Sequence, residues 1–386
     1  MKRSIVFAII IALVTLFITA CESDDFQLLT TGEVANFVTA LPEQPSYPSN
    51  NPYSEEKKEL GRLLFWDPVL SGAEDVACAT CHHPDFGYGD GLDLSSGVDG
   101  VGLGPNRSSG VQIRRNAPTI INTVFNGINN EGNLSHQDAP MFWDNRESSL
   151  EGQALGPILS KEEMRGDSID VNAIMDTVIQ RLNSIPEYKL RFASAFGDSS
   201  ITQDRILQAI ATFERGIVAL NSPFDLYMRG DENALTTEQI EGLSMFIDAG
   251  CADCHSGPMF SDFELHTIGV PDNISPPDSG ASGVFNFRTP TLRNLSTTGP
   301  YMHNGLHTTL EEVMDFYEDA EDGDQEDINS NLSPGDLDAD IRDLDLDDDD
   351  FEVIITFLGA LNDEDFDKTI PTSVPSGLPV GGNIRM

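Results

Sequence analysis

Four of the five cysteines in this 386-residue chain fall into two copies of one pattern. The first reads Cys78-Ala-Thr-Cys81-His82 and the second Cys251-Ala-Asp-Cys254-His255. Cysteines in an exported protein can pair as disulfides, and a bare Cys-x-x-Cys can be a redox motif. A histidine directly after each pair points instead to covalent attachment of haem c. Two thiols add to the vinyl groups of a porphyrin, and the adjacent imidazole reaches the iron as its proximal ligand. One such motif arises by chance. Two, using every cysteine except Cys21, predict two covalently bound haem c groups.

Two further stretches carry reactive side chains. "YMHNGLHTTLEEVMDFY" (301–317) offers Met302, His303, His307, Met314 and Tyr317 as candidate iron ligands. Thr308 or Thr309, with Glu311 or Glu312 three positions on, predicts a capped helix start. In that helix Leu310, Val313, Met314 and Tyr317 share one face. Periodicity therefore leaves both Met314 and Tyr317 facing a buried group. "APMFWDNRESSLEGQALGPILSKEEM" (139–164) holds Trp143, one of two tryptophans, with Arg146, Gln153 and Glu163. Singly, each has an ordinary explanation: a core indole, a guanidinium paired with a carboxylate or a haem propionate, a surface acid.

The elements that must position these residues are mainly helical, with long loops and little strand. The spacing predicts helices over 54–65, 171–185, 201–220 and 350–361. A fifth begins at a Thr236/Gln239 capping box, runs to Ala249, and is stopped by Gly250 just before Cys251. Residues 84–116 are rich in Gly, Asp and Ser and read as an extended loop. The two haem motifs form a weak internal repeat. They divide the chain into an N-terminal haem domain (54–222) and a C-terminal one (223–368), joined through "NSPFDLYMRGDENALTTEQ" and followed by a tail (369–386). Residues 1–21 have Lys2, Arg3 and an apolar run ending Ile18-Thr19-Ala20-Cys21. That is the layout of a signal peptide with a lipobox, in which Cys21 becomes the lipidated first residue. The Pro-studded segment 22–53 reads as a flexible tether from a membrane. The expected location is the periplasm or cell envelope.

The net charge of −42 excludes nucleic acid as a partner. The excess is concentrated after Glu311 and culminates in "DLDADIRDLDLDDDDFE". A solvated face is the plain explanation, and a steering field for a basic redox protein is the sharper one.

Taken together and in order, the two haem motifs, "RNAPTIIN" (115–122), "FWDNR" (142–146), "FRTPTLRN" (287–294) and "GPYMHNG" (299–305) resemble the bacterial di-haem cytochrome c peroxidases. They are most similar to the MauG-type members. The likeness covers about residues 55–362 and implies peroxide chemistry at the N-terminal haem, with a C-terminal haem that stores and relays electrons. It implies Trp143 as the residue between the haems and Gln153 and Glu163 in the peroxide pocket. It also implies a calcium ion on Asn122, Thr298 and the backbone carbonyl of Pro300. The sixth ligand of the second haem lies fourteen residues after the histidine of "GPYMHNG", which is Tyr317 counted from His303. A phenolate there stabilises ferric and higher states, where the Met of other members would favour ferrous iron. Family peroxidases often carry a distal His in the loop after the first motif. Here 84–116 contains none, His83 is adjacent to the proximal ligand, and His136 reads as a surface residue, so an open first iron is expected. In MauG a Trp just before the second motif carries the oxidation of a partner protein, whereas this chain has Asp248-Ala249-Gly250.

These readings make the chain an oxidoreductase that reduces hydrogen peroxide with electrons from a small redox protein or another donor. The alternatives are a MauG-like oxidase of a protein or small-molecule substrate, and a non-catalytic electron carrier with two closed irons.

Overall fold

The computed structural model describes residues 28–323 and 325–384, so the leader and Cys21 lie outside the described residues. From residue 28 onward, the segment expected to be a free tether is packed. Thr30 caps a short helix, α1 (Thr31–Val34), in a reciprocal box with Glu33. Val34 and Val38 are buried in the core of the C-terminal half with Phe224, Phe246 and Phe260, and Leu41 packs on Val124, Phe125 and Met259. The cause is long-range: the Leu41 N–H donates to buried Asp225 Oδ1 at 2.8 Å. No local composition signals that bond.

The N-terminal half contains α2 (Glu55–Trp66), α3 (Cys78–Cys81), α4 (Leu150–Leu159), α5 (Ile174–Ser184), α6 (Pro186–Phe196) and α7 (Gln203–Glu214). The C-terminal half contains α8 (Pro223–Met228), α9 (Thr237–Asp248), α10 (Leu310–Asp322), α11 (Ala339–Arg342) and α12 (Asp348–Leu358). Among the described residues the only sheet pairs β1 (Leu265–His266) antiparallel to β2 (Phe287–Arg288), with Leu265 opposite Arg288. The chain is thus mainly α with little strand, as expected.

Each half uses the same device to seat its haem motif. Ser54 caps α2, Glu55 and Glu56 lie in its first turn where the helix dipole favours acids, and Leu60 and Leu64 are buried along one face. That face meets α7 at Gly61, where a Cβ would stand 1.9 Å from the Ala209 carbonyl oxygen. In the second half α9 starts at the predicted Thr236/Gln239 box and meets α12 at Gly242. A Cβ there would stand 2.1 Å from the Val353 oxygen. In both halves the helix entering the haem motif can touch its partner only because a side chain is missing at the crossing.

One segment expected as a junction is packed, and one boundary differs from the sequence reading. The junction after residue 220 contains α8, whose Phe224 and Asp225 are fully buried, and Asp225 pairs bidentately with Arg293 at 2.8 and 3.1 Å. It is therefore a core element of the C-terminal half. The tail, too, belongs to a core, and it returns to the first half. Gly381 N–H donates to the Trp66 carbonyl, Thr80 Oγ1 donates to the Gly381 carbonyl at 3.1 Å, and Gly382 bridges Val76. Val374 and Val380 pack with Phe65, Trp66 and Ala79 beside the first haem motif.

Candidate active site

The four motif thiols are free and partly buried. Burial pushes Cys78 and Cys251 up to about 12. The His82 Nδ1 faces the Tyr88 carbonyl at 2.9 Å, and the His255 Nδ1 faces the Phe260 carbonyl at 3.1 Å. A backbone carbonyl on Nδ1 fixes the tautomer in which Nε2 is the metal-binding nitrogen. Burial lowers both histidine pKa values, which keeps the imidazoles neutral and able to ligate.

Around the second motif runs a cavity lined by Cys251, Cys254, His255, Met314 and Tyr317, with Trp143 and His303 also on its wall. The Thr309/Glu312 box starts α10 as expected, and Leu310, Val313, Met314 and Tyr317 all line this cavity. Burial raises the Tyr317 pKa, with Cys254 and Cys251 adding to it, so its phenol lies near both attachment thiols. Arg288 is a wall residue that the sequence reading passed over. It is 8% exposed, its Nε donates to the Phe142 carbonyl, and burial alone pulls its pKa down to about 10. A buried guanidinium with no carboxylate against it fits an anionic group in the cavity, such as a haem propionate.

Trp143 is 7% exposed and held from both sides. Its Nε1 donates to the Asn116 carbonyl at 3.0 Å, and its own carbonyl accepts from Arg288 N at 2.7 Å. The indole meets His303 edge-on at 6.5 Å, and His303 stacks on Phe287 with ring centroids 3.6 Å apart. Two residues beyond Asn116, Pro118 lies beside His82. Trp143 therefore stands on the wall of the second cavity while touching the strand of chain that leads to the first proximal histidine.

Glu163 lies in a single π turn (Lys161–Arg165) capped by Ser160, whose Oγ accepts from the Glu163 N–H. Burial raises its pKa, with Arg146 opposing, and its charge reaches both Cys78 and Cys81. Gln153 sits on α4, and the internal repeat tells where it points. The Met141–Glu147 bridge, left-handed Phe142 and Ser149 cap of the first half recur as the Tyr301–His307 bridge, left-handed Met302 and Thr309 cap. In that register Gln153 matches Val313, Ala154 matches Met314, and Pro157 matches Tyr317. The sequence reading missed Pro157, although "PMFWDNRESSL" against "PYMHNGLHTTL" held the register. Proline has no donor or ligand atom on its side chain, so α4 presents none where α10 presents a phenol.

Other expected positions fall elsewhere. His83 is buried edge-on against Trp66 at 5.4 Å, and His136 bonds Ser46. Asn122 is bonded through both atoms of its amide. Its Oδ1 accepts from Ala219 N at 2.8 Å while its Nδ2 donates to the Ala219 carbonyl at 2.9 Å. Asn294 makes the same pair with Asp363, so this left-handed asparagine is a clamp in both halves. Thr298 and Pro300, the other expected ligands, line the second cavity.

Residues 55–233 match the family model of di-haem cytochrome c peroxidase. The chain is 37% identical to the methylamine utilization protein MauG of Methylorubrum extorquens over 285 residues, 72% of each chain. It is 34% identical to the cytochrome c551 peroxidase of Pseudomonas aeruginosa over 83% of each. The chain belongs to the di-haem cytochrome c peroxidase family. Membership makes it an oxidoreductase and implies two c-type haems, which the donor sets around His82 and His255 fit. Among solved structures, a MauG-like protein associated with microbial copper homeostasis aligns with TM-score 0.67 and 28% identity, over 84% of this chain and 95% of that one. The di-haem peroxidase BthA of Burkholderia thailandensis shares the fold, with TM-score 0.65 and 19% identity over 88% and 93%.

Proposed function

We propose that the enzyme reduces hydrogen peroxide at the N-terminal haem site with electrons relayed from the C-terminal site past Trp143. When bound, the haems supply the redox electrons and the iron at which peroxide is held. The chain supplies the protons and the shape. Reducing one peroxide to two waters consumes two electrons and two protons. A carboxyl whose pKa is raised by burial holds its proton to higher pH than an exposed one and can donate it where it is needed. Glu163 has such a raised pKa and lies near both thiols of the first motif. Gln153 would orient the departing water, and Pro157 would leave the first iron's outer face open to peroxide. Trp143, dry and fixed through its N–H, offers an oxidisable ring between the sites.

The observation that carries this reading is the contrast between the halves: proline and a buried acid at the first site, a phenol at the second. Peroxide consumption with a reduced dye as donor tests it. Glu163→Gln is expected to lose roughly 10²–10⁴-fold in rate while retaining two haem c groups. A variant as fast as wild type would refute the role of Glu163.

Tyr317 favours one second reading. As ligand of the second haem it would suit an oxidase that stores oxidising equivalents for a substrate, as in MauG-type members. Asp248-Ala249-Gly250 gives no aromatic route to a protein partner at the place where MauG has its Trp. The donor in either case would be a small redox protein or an oxidisable molecule. No helix among the described residues is long and apolar enough to cross a membrane. In this reading the enzyme works in the cell envelope, anchored through a lipid on Cys21.

A further inference from the structure

His266 is the one histidine on the wall of the second cavity that neither the ligand set nor the inter-haem route uses. Its Nε2 lies 2.9 Å from Asp262 Oδ2 and its Nδ1 lies 2.7 Å from Asp338 Oδ2. Carboxylates only accept, so each ring nitrogen must carry a proton and the ring is an imidazolium. Both acids are fixed by the backbone: Asp262 N–H donates to the Cys254 carbonyl at 2.8 Å, and Asp338 N–H to the Thr267 carbonyl at 3.0 Å. β1 holds the ring itself, opposite Phe287. The cation is thereby set 4.0 Å from the Cys254 sulfur.

Cys254, His266 and Asp340 also lie close enough together to resemble a metal site. That arrangement is not available to a metal, because both imidazole nitrogens are occupied and the sulfur is an attachment point for haem. The surrounding charge gives the cation its significance. Residues 251–287 contain no Lys or Arg, Arg288 is the other cation on the cavity wall, and the cavity edge continues into the acidic run around Asp340. Asp262, the strongest influence, raises the His266 pKa, and Asp338 adds to it, so both carboxylates favour the charged ring.

We infer that His266 is a positioning residue whose fixed positive charge raises the reduction potential of the second haem, while Asp338 limits that rise. Reduction adds an electron to the haem, and a neighbouring cation stabilises the reduced form. The imidazolium offsets part of the pull toward ferric iron from its own two carboxylates, the acidic surroundings and a Tyr317 phenolate. It keeps the second site reducible by its donor. The inference rests on reading residues 251–255 as a haem attachment site.

The test is spectroelectrochemical titration of the intact di-haem protein, with haem stoichiometry measured first by pyridine haemochrome. His266→Gln is expected to lower the midpoint of the second haem alone. The order is roughly tenfold in the reduced-to-oxidised ratio at the wild-type midpoint, about 59 mV for a one-electron couple. Asp338→Asn, at the more exposed end of the clamp, is expected to shift it in the opposite direction. A purely structural clamp would move both variants the same way or neither, and either result overturns the inference. Fewer than two haem c groups in the wild type would instead overturn the reading on which it rests.

Discussion

The buried pair Asp225–Arg293 gives the most demanding prediction, because one substitution reaches both the fold and the second haem site. Asp225 is fully buried and Arg293 is 3% exposed. The carboxylate takes Leu41 N–H at 2.8 Å and Ser222 Oγ–H at 2.6 Å, besides two guanidinium bonds. Arg293 Nε donates to the Pro258 carbonyl at 2.7 Å, two residues before the Phe260 carbonyl that fixes His255. Burial pulls the guanidinium pKa below its usual value even with Asp225 beside it, so the charge depends on its partner. Asp225→Asn leaves that charge buried and uncompensated, which costs roughly 3–5 kcal/mol. For a unit of 150–250 residues this corresponds to a fall in Tm of roughly 6–20 °C. Scanning calorimetry with Soret circular dichroism should find that transition lowered and the second haem's signal broadened, because the Pro258 turn has lost its anchor. The double variant Asp225→Leu, Arg293→Met buries no charge and should recover part of the loss. A shift under about 2 °C for Asp225→Asn would refute the argument, since it would mean the buried cation needs no counter-charge.

Other outcomes follow from single contacts. The peroxide-reducing rate should fall as pH rises through the raised pKa of Glu163, because the proton-bearing form is then lost; pH-rate profiles should lack that limb in Glu163→Gln. Tyr317→Phe should change the EPR and visible spectra of the second haem and leave the first unchanged; an unaltered spectrum would assign the ligand to Met314 or another residue. Gly242→Ala places a Cβ 2.1 Å from the Val353 oxygen and should destabilise the α9–α12 crossing by about 1–3 kcal/mol, read by denaturant titration. Deleting residues 370–386 should lower the unfolding transition of the N-terminal half selectively, seen as earlier loss of the first haem's Soret dichroism on heating.

The parts of the fold legible in the sequence were those with local causes. The haem motifs, the capping boxes at Thr236 and Thr309, and the apolar face of α10 each lie within a few turns of chain. What escaped had distant causes. Val34, Val38 and Leu41 lie in a short stretch with no sustained helical or strand periodicity, and only distant partners make them core. Helix α4 contains Gly152, Gly156 and Pro157, which carry no local helix signal. Pro223 disguised α8 in the same way, although at a first helical position it is favourable. The residue that holds the Asn122 amide, Ala219, is 97 residues away. Glu163 and Gln153 could be named from the family pattern, but their surroundings required the repeat register of α4 against α10.

The segment 376–383 follows the entire second half in the chain, yet it bonds Asp67, Trp66, Asp75, Thr80 and Gly102 around the first haem motif. The two haem units therefore cannot mature as beads on a string. The first Cys-x-x-Cys-His precedes its packing partner by almost three hundred residues, with the whole second motif between them. A chain truncated anywhere before residue 376 lacks a wall of the first site, so the integrity of that site depends on completing the second half.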